Sequence, residues 1–141
     1  MRIALILVLI IMSSGCIAEQ TYMAERIIDG DTFVLDNGDK VRLIGYNAPE
    51  IGEPFADNAT ERLSELVMHR KLRLERDVRD KDDYGRLLRY VYADEHFVNL
   101  AMLQDGYGKL LEIAPISKHN KEFEKAEEFA QYHNLGIWSL D

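Results

Sequence analysis

The amino-acid sequence predicts an α+β fold: a small five-stranded barrel of the oligonucleotide-binding-fold (OB-fold) kind, with three α-helices. Three observations predict it. Short alternating apolar runs come first, a segment of 3.6-residue period follows them, and strand patterns then return ahead of two further helical segments. The chain has 141 residues, enough for one domain with a real core. Its 47% apolar and 30% charged residues are ordinary for a globular protein.

The N-terminus departs from that pattern. "MRIALILVLIIMSSGCIAEQ" has one basic residue, an apolar run from Ile3 to Met12, and small residues before Cys16. The run is too short to span a bilayer and fits the core of a signal peptide. Cys16 is the only cysteine, so no intrachain disulfide is expected. Its place after "SSG" resembles a lipobox, in which the cysteine is lipidated and becomes the new N-terminus. The expected organisation is a signal peptide of lipoprotein type over 1–15, a tether over 16–24 and one domain over 25–141. The product would be exported, either as a membrane-anchored lipoprotein or as a secreted protein.

Within the domain, "TFVLDNGDKVRLIGY" has two alternating runs around Asn37-Gly38, a favoured two-residue hairpin turn. "IGEPFADNATERLSELVMH" repeats Ala56, Ala59, Leu63, Leu66 and Val67 at spacings of three and four, predicting an amphipathic helix. "KLRLERDV" and "LLRYVYADEHFV" alternate again around the polar loop "RDKDDYGR". A short helix is predicted over Asn99 to Asp105, ended by Gly106. A final helix is predicted over Asn120 to Asn134, with Phe123, Ala126, Ala130 and His133 on one face.

Charge gives a counter-argument. Removing residues 1–15 takes one arginine from 17 basic residues and none of the 25 acids, leaving a net charge of −9. An acidic surface repels polyanions at long range, and nucleic-acid binders usually carry the opposite sign.

The first hairpin holds the candidate chemistry. With Asn37-Gly38 as the turn, Phe33 would face Arg42 and Asp31 would face Ile44, putting Asp31 and Arg42 diagonally on one face. Asn47 and Glu50 lie just beyond that strand, where Pro49 breaks the ladder. Asp29 and Asp31 flank Gly30 at the start of the other strand. Oxygen ligands of this kind suit Ca²⁺ or Mg²⁺, an adjacent arginine suits a phosphate, and a carboxylate beyond the metal can orient a water. Each piece also has an ordinary reading: a turn cap for "DGDT", a solvated strand arginine, an exposed glutamate. Arg86, after Tyr84-Gly85, is either a reaching guanidinium or part of a charged loop.

Taken together, "IIDGDT", "VRLIGYNAPE", "DDYGR", "YVYADEHFVNLAMLQDGYG" and "NLGIWSLD" resemble the staphylococcal nuclease (thermonuclease) family in order and spacing, from about residue 24 onward. The resemblance implies a Ca²⁺-dependent enzyme that hydrolyses DNA and/or RNA towards 3′-phosphate products. By the same resemblance Asp31 and Asn47 are metal ligands, with the Ala48 carbonyl completing the set. Glu50 is the general base, Arg42 and Arg86 bind the phosphate, Tyr84 lies near it, and Asp29 is an acid behind the metal ligands. The sequence departs from the family at Asn47, where an aspartate is usual, and at Asp83, where lysine is common. It departs again at Glu112 and Ala114, where two nucleotide-holding tyrosines fall. Weak metal and substrate binding is the expected consequence.

The leading expectation is therefore an exported, monomeric nuclease. The alternatives are a catalytically weakened barrel that binds nucleic acid or protein, and an acidic surface lipoprotein that binds cations. His69, His96, His119 and His133 have no metal-ligand spacing and are expected on the surface or on helix faces. Trp138 is expected to plug the core, and Met102 and Leu103 to pack a helix.

Overall fold

A computed structural model describes residues 19–111 and 118–140. The elements run β1 (Ala24–Asp29), β2 (Thr32–Leu35), β3 (Lys40–Leu43), β4 (Tyr46–Asn47), α1 (Ala56–Val67), β5 (Leu72–Glu75), β6 (Leu87–Ala93), β7 (His96–Phe97), α2 (Val98–Gln104), β8 (Lys109–Leu110) and α3 (Asn120–Tyr132). A 3-10 turn over Gly136–Leu140 follows. The main sheet has the order β1-β2-β3-β6-β5, with β7 added to β6; β4 and β8 form a separate two-stranded ladder. Among the described strand pairs β3–β6 is parallel and the others are antiparallel.

Tyr22 and Leu72 exchange two backbone hydrogen bonds, of 2.9 and 2.8 Å, so the chain just ahead of β1 meets the far edge strand β5. This brings the two edges of the sheet together and gives the OB-like α+β barrel that the patterning predicts. Tyr22 and Ala24 fall in the stretch expected to be a tether, yet both pair with the barrel. No described helix is long and apolar enough to cross a membrane.

Inside the barrel Phe33, Leu35, Val41, Leu43 and Leu72 are fully buried. Helix α1 covers one end with the five residues its spacing singles out: Ala56, Ala59, Leu63, Leu66 and Val67. Helix α2 begins at Val98, buries Met102 and Leu103, and stops before Gly106, whose φ of 76° a residue with a side chain would resist. Helix α3 buries Phe123, Ala126 and Ala130.

Four expectations are corrected. The β2–β3 loop is not the two-residue Asn37-Gly38 turn. Leu35 and Gly38 close a tight turn, and Leu35 N–H donates to Asp39 O, so Asp36, Asn37 and Gly38 all lie in the loop. The extra residue slides the register by one: Phe33 pairs with Val41, and Arg42 pairs with Thr32 rather than Phe33. His133 is exposed just past the end of α3 instead of sharing its buried face. His119, expected on the surface or a helix face, is half-buried at the start of α3, its ring 4.6 to 6.0 Å from those of Tyr90, Phe97 and Phe123. Trp138 is not a core plug, because it is only half-buried and lines a cleft.

Candidate active site

The site begins at the β1–β2 turn. Gly30 is needed there for close approach. A Cβ on it would stand 2.6 Å from the Ala59 Cβ of α1 and 2.7 Å from the Ala48 Cβ. The turn is therefore wedged between α1 and the β4 loop, which fixes the position of Asp31.

Asp31 is 8% exposed. Its Oδ1 accepts from the Thr32 hydroxyl at 2.8 Å, and its Oδ2 accepts from the Ala48 N–H at 3.1 Å and pairs with Arg42 Nη1 at 3.2 Å. Asp29 Oδ1 caps the turn by accepting the Asp31 N–H at 3.0 Å. Burial pushes the Asp31 carboxyl up to about 6, against the pull of the Arg42 guanidinium.

Arg42 is as buried as its partner, at 7% exposed. Its Nη1 donates to Tyr46 O at 2.7 Å and Leu43 O at 3.3 Å, and its Nη2 donates to Asn47 Oδ1 at 2.8 Å. Burial pulls its pKa down and the neighbouring Arg86 adds to that, while Asp31 and Asp29 resist. The Asn47 amide oxygen is thus already engaged by an arginine.

Asn99 holds the loop that carries these groups. Fully buried, it accepts from Val91 N–H at 2.9 Å and donates to Ile44 O at 2.9 Å and Arg89 O at 3.1 Å. Its amide satisfies the backbone where β3 leaves the sheet beside β6.

Arg86 approaches from the other side. Asp82 organises its loop: Oδ1 accepts from the N–H groups of Tyr84 and Arg86, each at 3.0 Å, and Oδ2 accepts from Arg86 Nε at 2.6 Å. Burial works to raise the Asp82 carboxyl, but those hydrogen bonds and the guanidinium charge outweigh it and hold it below the usual range. Arg86 Nη1 then donates to the Thr32 hydroxyl at 3.3 Å. Thr32, 2% exposed, is the bridge between Asp31 and Arg86. Tyr84 is 86% exposed and lies beside the Arg86 guanidinium, 5.4 Å from ring centre to carbon.

Asp29, Asp31, Arg42, Asn47 and Ala48 therefore form one contact network, which Thr32 extends to Arg86. Asp29, Thr32, Tyr84 and Arg86 line an open groove of about 290 Å³. Glu50 is exposed on the loop beyond Ala48 and lines a separate cleft of about 470 Å³ together with Asn47 and Ala48. Cys16, Glu112 and Ala114 lie outside the described residues. The sequence reading passed over Thr32 and Asp82; both sit inside its motifs, in "DGDT" and "DDYGR", but a strand threonine and a loop aspartate carry no distinguishing pattern.

The donor set fits a hard divalent cation in the kind of its atoms but not in its charge. An ionised carboxylate offers about four lone-pair sites. Thr32, Ala48 and Arg42 use three of those on Asp31, so one remains on Oδ1. The Ala48 carbonyl and the Asn47 amide add only oxygens, which fits Ca²⁺ or Mg²⁺ in kind. The set is poor in charge: among the described residues no three His, Cys, Asp or Glu side chains gather as a metal cluster.

Comparison with known proteins identifies the class. Residues 40–140 match the model of the family described as staphylococcal nuclease homologue. The chain is 33% identical over 130 residues to the thermonuclease of Staphylococcus hyicus, an alignment that covers 86% of this chain and 77% of that protein. It is 31% identical over 135 residues to the thermonuclease of Staphylococcus intermedius, covering 89% and 80%. Endonuclease YncB of Bacillus subtilis (strain 168) is 38% identical over 126 residues, covering 82% of this chain and 60% of that protein. The protein is a nuclease, a phosphodiester hydrolase acting on nucleic acid. It belongs to the staphylococcal nuclease family.

Proposed function

We propose that this nuclease is Ca²⁺-dependent and hydrolyses DNA and/or RNA towards 3′-phosphate products. We further propose that it works as a monomer outside the cell, released after loss of residues 1–15 or held to a membrane by a lipid on Cys16. The observation that carries the catalytic reading is the continuous path Asp31–Thr32–Arg86, which ties a buried carboxylate to a guanidinium through one hydroxyl.

In this reading Asp31, Asn47 and the Ala48 carbonyl would hold the metal, and Asp29 keeps Asp31 in place. A bound Ca²⁺ would supply a Lewis acid for the phosphate oxygen. The protein's own groups do the rest. Arg86 keeps its Nε on Asp82 and its Nη1 on Thr32, so Nη2 is the nitrogen left to meet a phosphate oxygen. Arg42, fixed by four oxygen contacts, contributes positive charge to the dianionic transition state without having to reorganise. Glu50, on an exposed loop, accepts a proton from the attacking water and holds it in line. Tyr84 flanks the phosphate beside Arg86.

End-labelled single-stranded DNA tests this reading, incubated with Ca²⁺ or chelator and with wild type or Glu50→Gln. The expected result is metal-dependent cleavage that drops at least about 100-fold in the variant. A second reading, a weakened binding barrel, draws on the Asn47 oxygen being engaged by Arg42. It predicts strand binding without Ca²⁺-dependent cleavage from the folded wild type.

A further inference from the structure

The cleft that Asn47, Ala48 and Glu50 line extends past those groups to residues that the chemistry above does not use. Its lining includes Glu50 and Glu53, whose Oε2 accepts the Glu50 N–H at 2.7 Å, together with Trp138, Lys109, Pro49 and Ile137. Its volume of about 470 Å³ lies within the usual range for small-ligand sites. Trp138 presents part of its indole here, and the Lys109 ammonium stands 5.6 Å from the ring centre.

Two carboxylates in the lining repel a phosphate. A neutral flat ring with polar edges meets no such penalty, and an indole face supplies the stacking surface that single-strand binders use for bases. The cleft is also continuous with the proposed site, since Asn47, Ala48 and Glu50 line it. We propose that this cleft is a nucleobase subsite. It takes one unpaired base of the substrate strand, next to the scissile phosphate on the Glu50 side, stacked on Trp138, with Lys109 at the rim for the adjoining phosphate. A base can reach the indole only when it is free of its partner, so the subsite favours single-stranded over duplex substrate. This inference rests on the proposed placement of the reaction at Glu50.

Trp138 is the only tryptophan of the chain, so its emission reads the cleft directly. The probe is a 5′-labelled deoxythymidine dodecamer in chelator, which allows binding without cleavage, with inorganic phosphate as control. Saturable quenching by the dodecamer but not by phosphate, with the same midpoint as label polarisation, is the expected result. Binding by polarisation with unchanged emission overturns the subsite. In cleavage assays with Ca²⁺, Trp138→Leu is expected to raise KM for single strands roughly tenfold, with the loss falling on KM rather than kcat, and Trp138→Phe to restore most of it. If the leucine variant does not fold, the quenching result and the phenylalanine variant still decide. Ca²⁺-dependent cleavage by wild type without quenching rejects the subsite and leaves the nuclease reading intact. Absence of both rejects both.

Discussion

Thr32 connects the two halves of the site through a single hydroxyl that gives one hydrogen bond and receives another. Thr32→Val keeps the shape and loses both; kcat is expected to fall about 10- to 100-fold, since small displacements of aligned groups are costly. Thr32→Ser is expected to stay within roughly threefold of wild type because the hydroxyl remains. Equal losses in both variants, measured alongside thermal unfolding, would reduce Thr32 to a packing residue. Asn47 invites the opposite experiment. Asn47→Asp retains an oxygen for Arg42 and adds a charge, so calorimetry is expected to show Ca²⁺ bound about tenfold more tightly; unchanged affinity would remove Asn47 from the ligand set. At this scale the nearness of Asp31 and Arg42 was legible, since each has a distinctive chemistry and a motif around it. The sequence was silent on Thr32, since threonine is an ordinary strand former, and misleading on Trp138 and His119, whose burial depends on contacts far away in the chain.

Among the elements, α1 was fully legible because its buried face is set by its own period. The β2–β3 hairpin was not. "DNGD" closes equally well as a two-residue turn or as a three-residue loop with glycine in the left-handed position, and the choice moves every cross-strand pair by one. The predicted Asp31–Arg42 proximity emerges from a different cause, the Gly30 turn wedged against Ala48 and Ala59. The loop from Asp80 to Arg86 yields a pH prediction. The Asp82 pKa is lower folded than unfolded, so its contribution to stability is present above the ordinary carboxylate range and is lost as pH falls through its folded value. Amide exchange at Tyr84 and Arg86 is expected to accelerate over that window relative to amides of β6, once corrected for intrinsic rates. Protection that stays constant there would mean that Asp82 does not organise the loop.

For the molecule as a whole, the architecture was legible from element order, while barrel closure through Tyr22 and Leu72 was not, since one pair of backbone groups leaves no side-chain signature. The acidic balance, −8 for the chain, bears on how it meets a polyanion. Among the described residues Lys40, Arg86 and Lys109 line the two clefts, while long-range repulsion by the net negative charge opposes approach, so added salt screens an unfavourable field as well as a favourable one. The slope of log affinity against log salt for single-stranded DNA is expected between about 0 and −2, against about −0.7 per phosphate contact in such complexes. A slope of about −4 or steeper would mean that several cations contact the strand despite the net negative charge.

Asn99 adds a temporal consequence. Its three backbone partners belong to Ile44, Arg89 and Val91, so docking of α2 ties the backbone at Ile44, just ahead of the segment bearing Asn47 and Glu50, to β6. Those contacts span up to 55 residues of chain, the slow, late class of pairing in a folding reaction. The onset of cleavage during refolding is therefore expected to follow docking of α2 rather than formation of the local Asp29–Asp31 turn, which stopped-flow fluorescence run beside an activity assay would check.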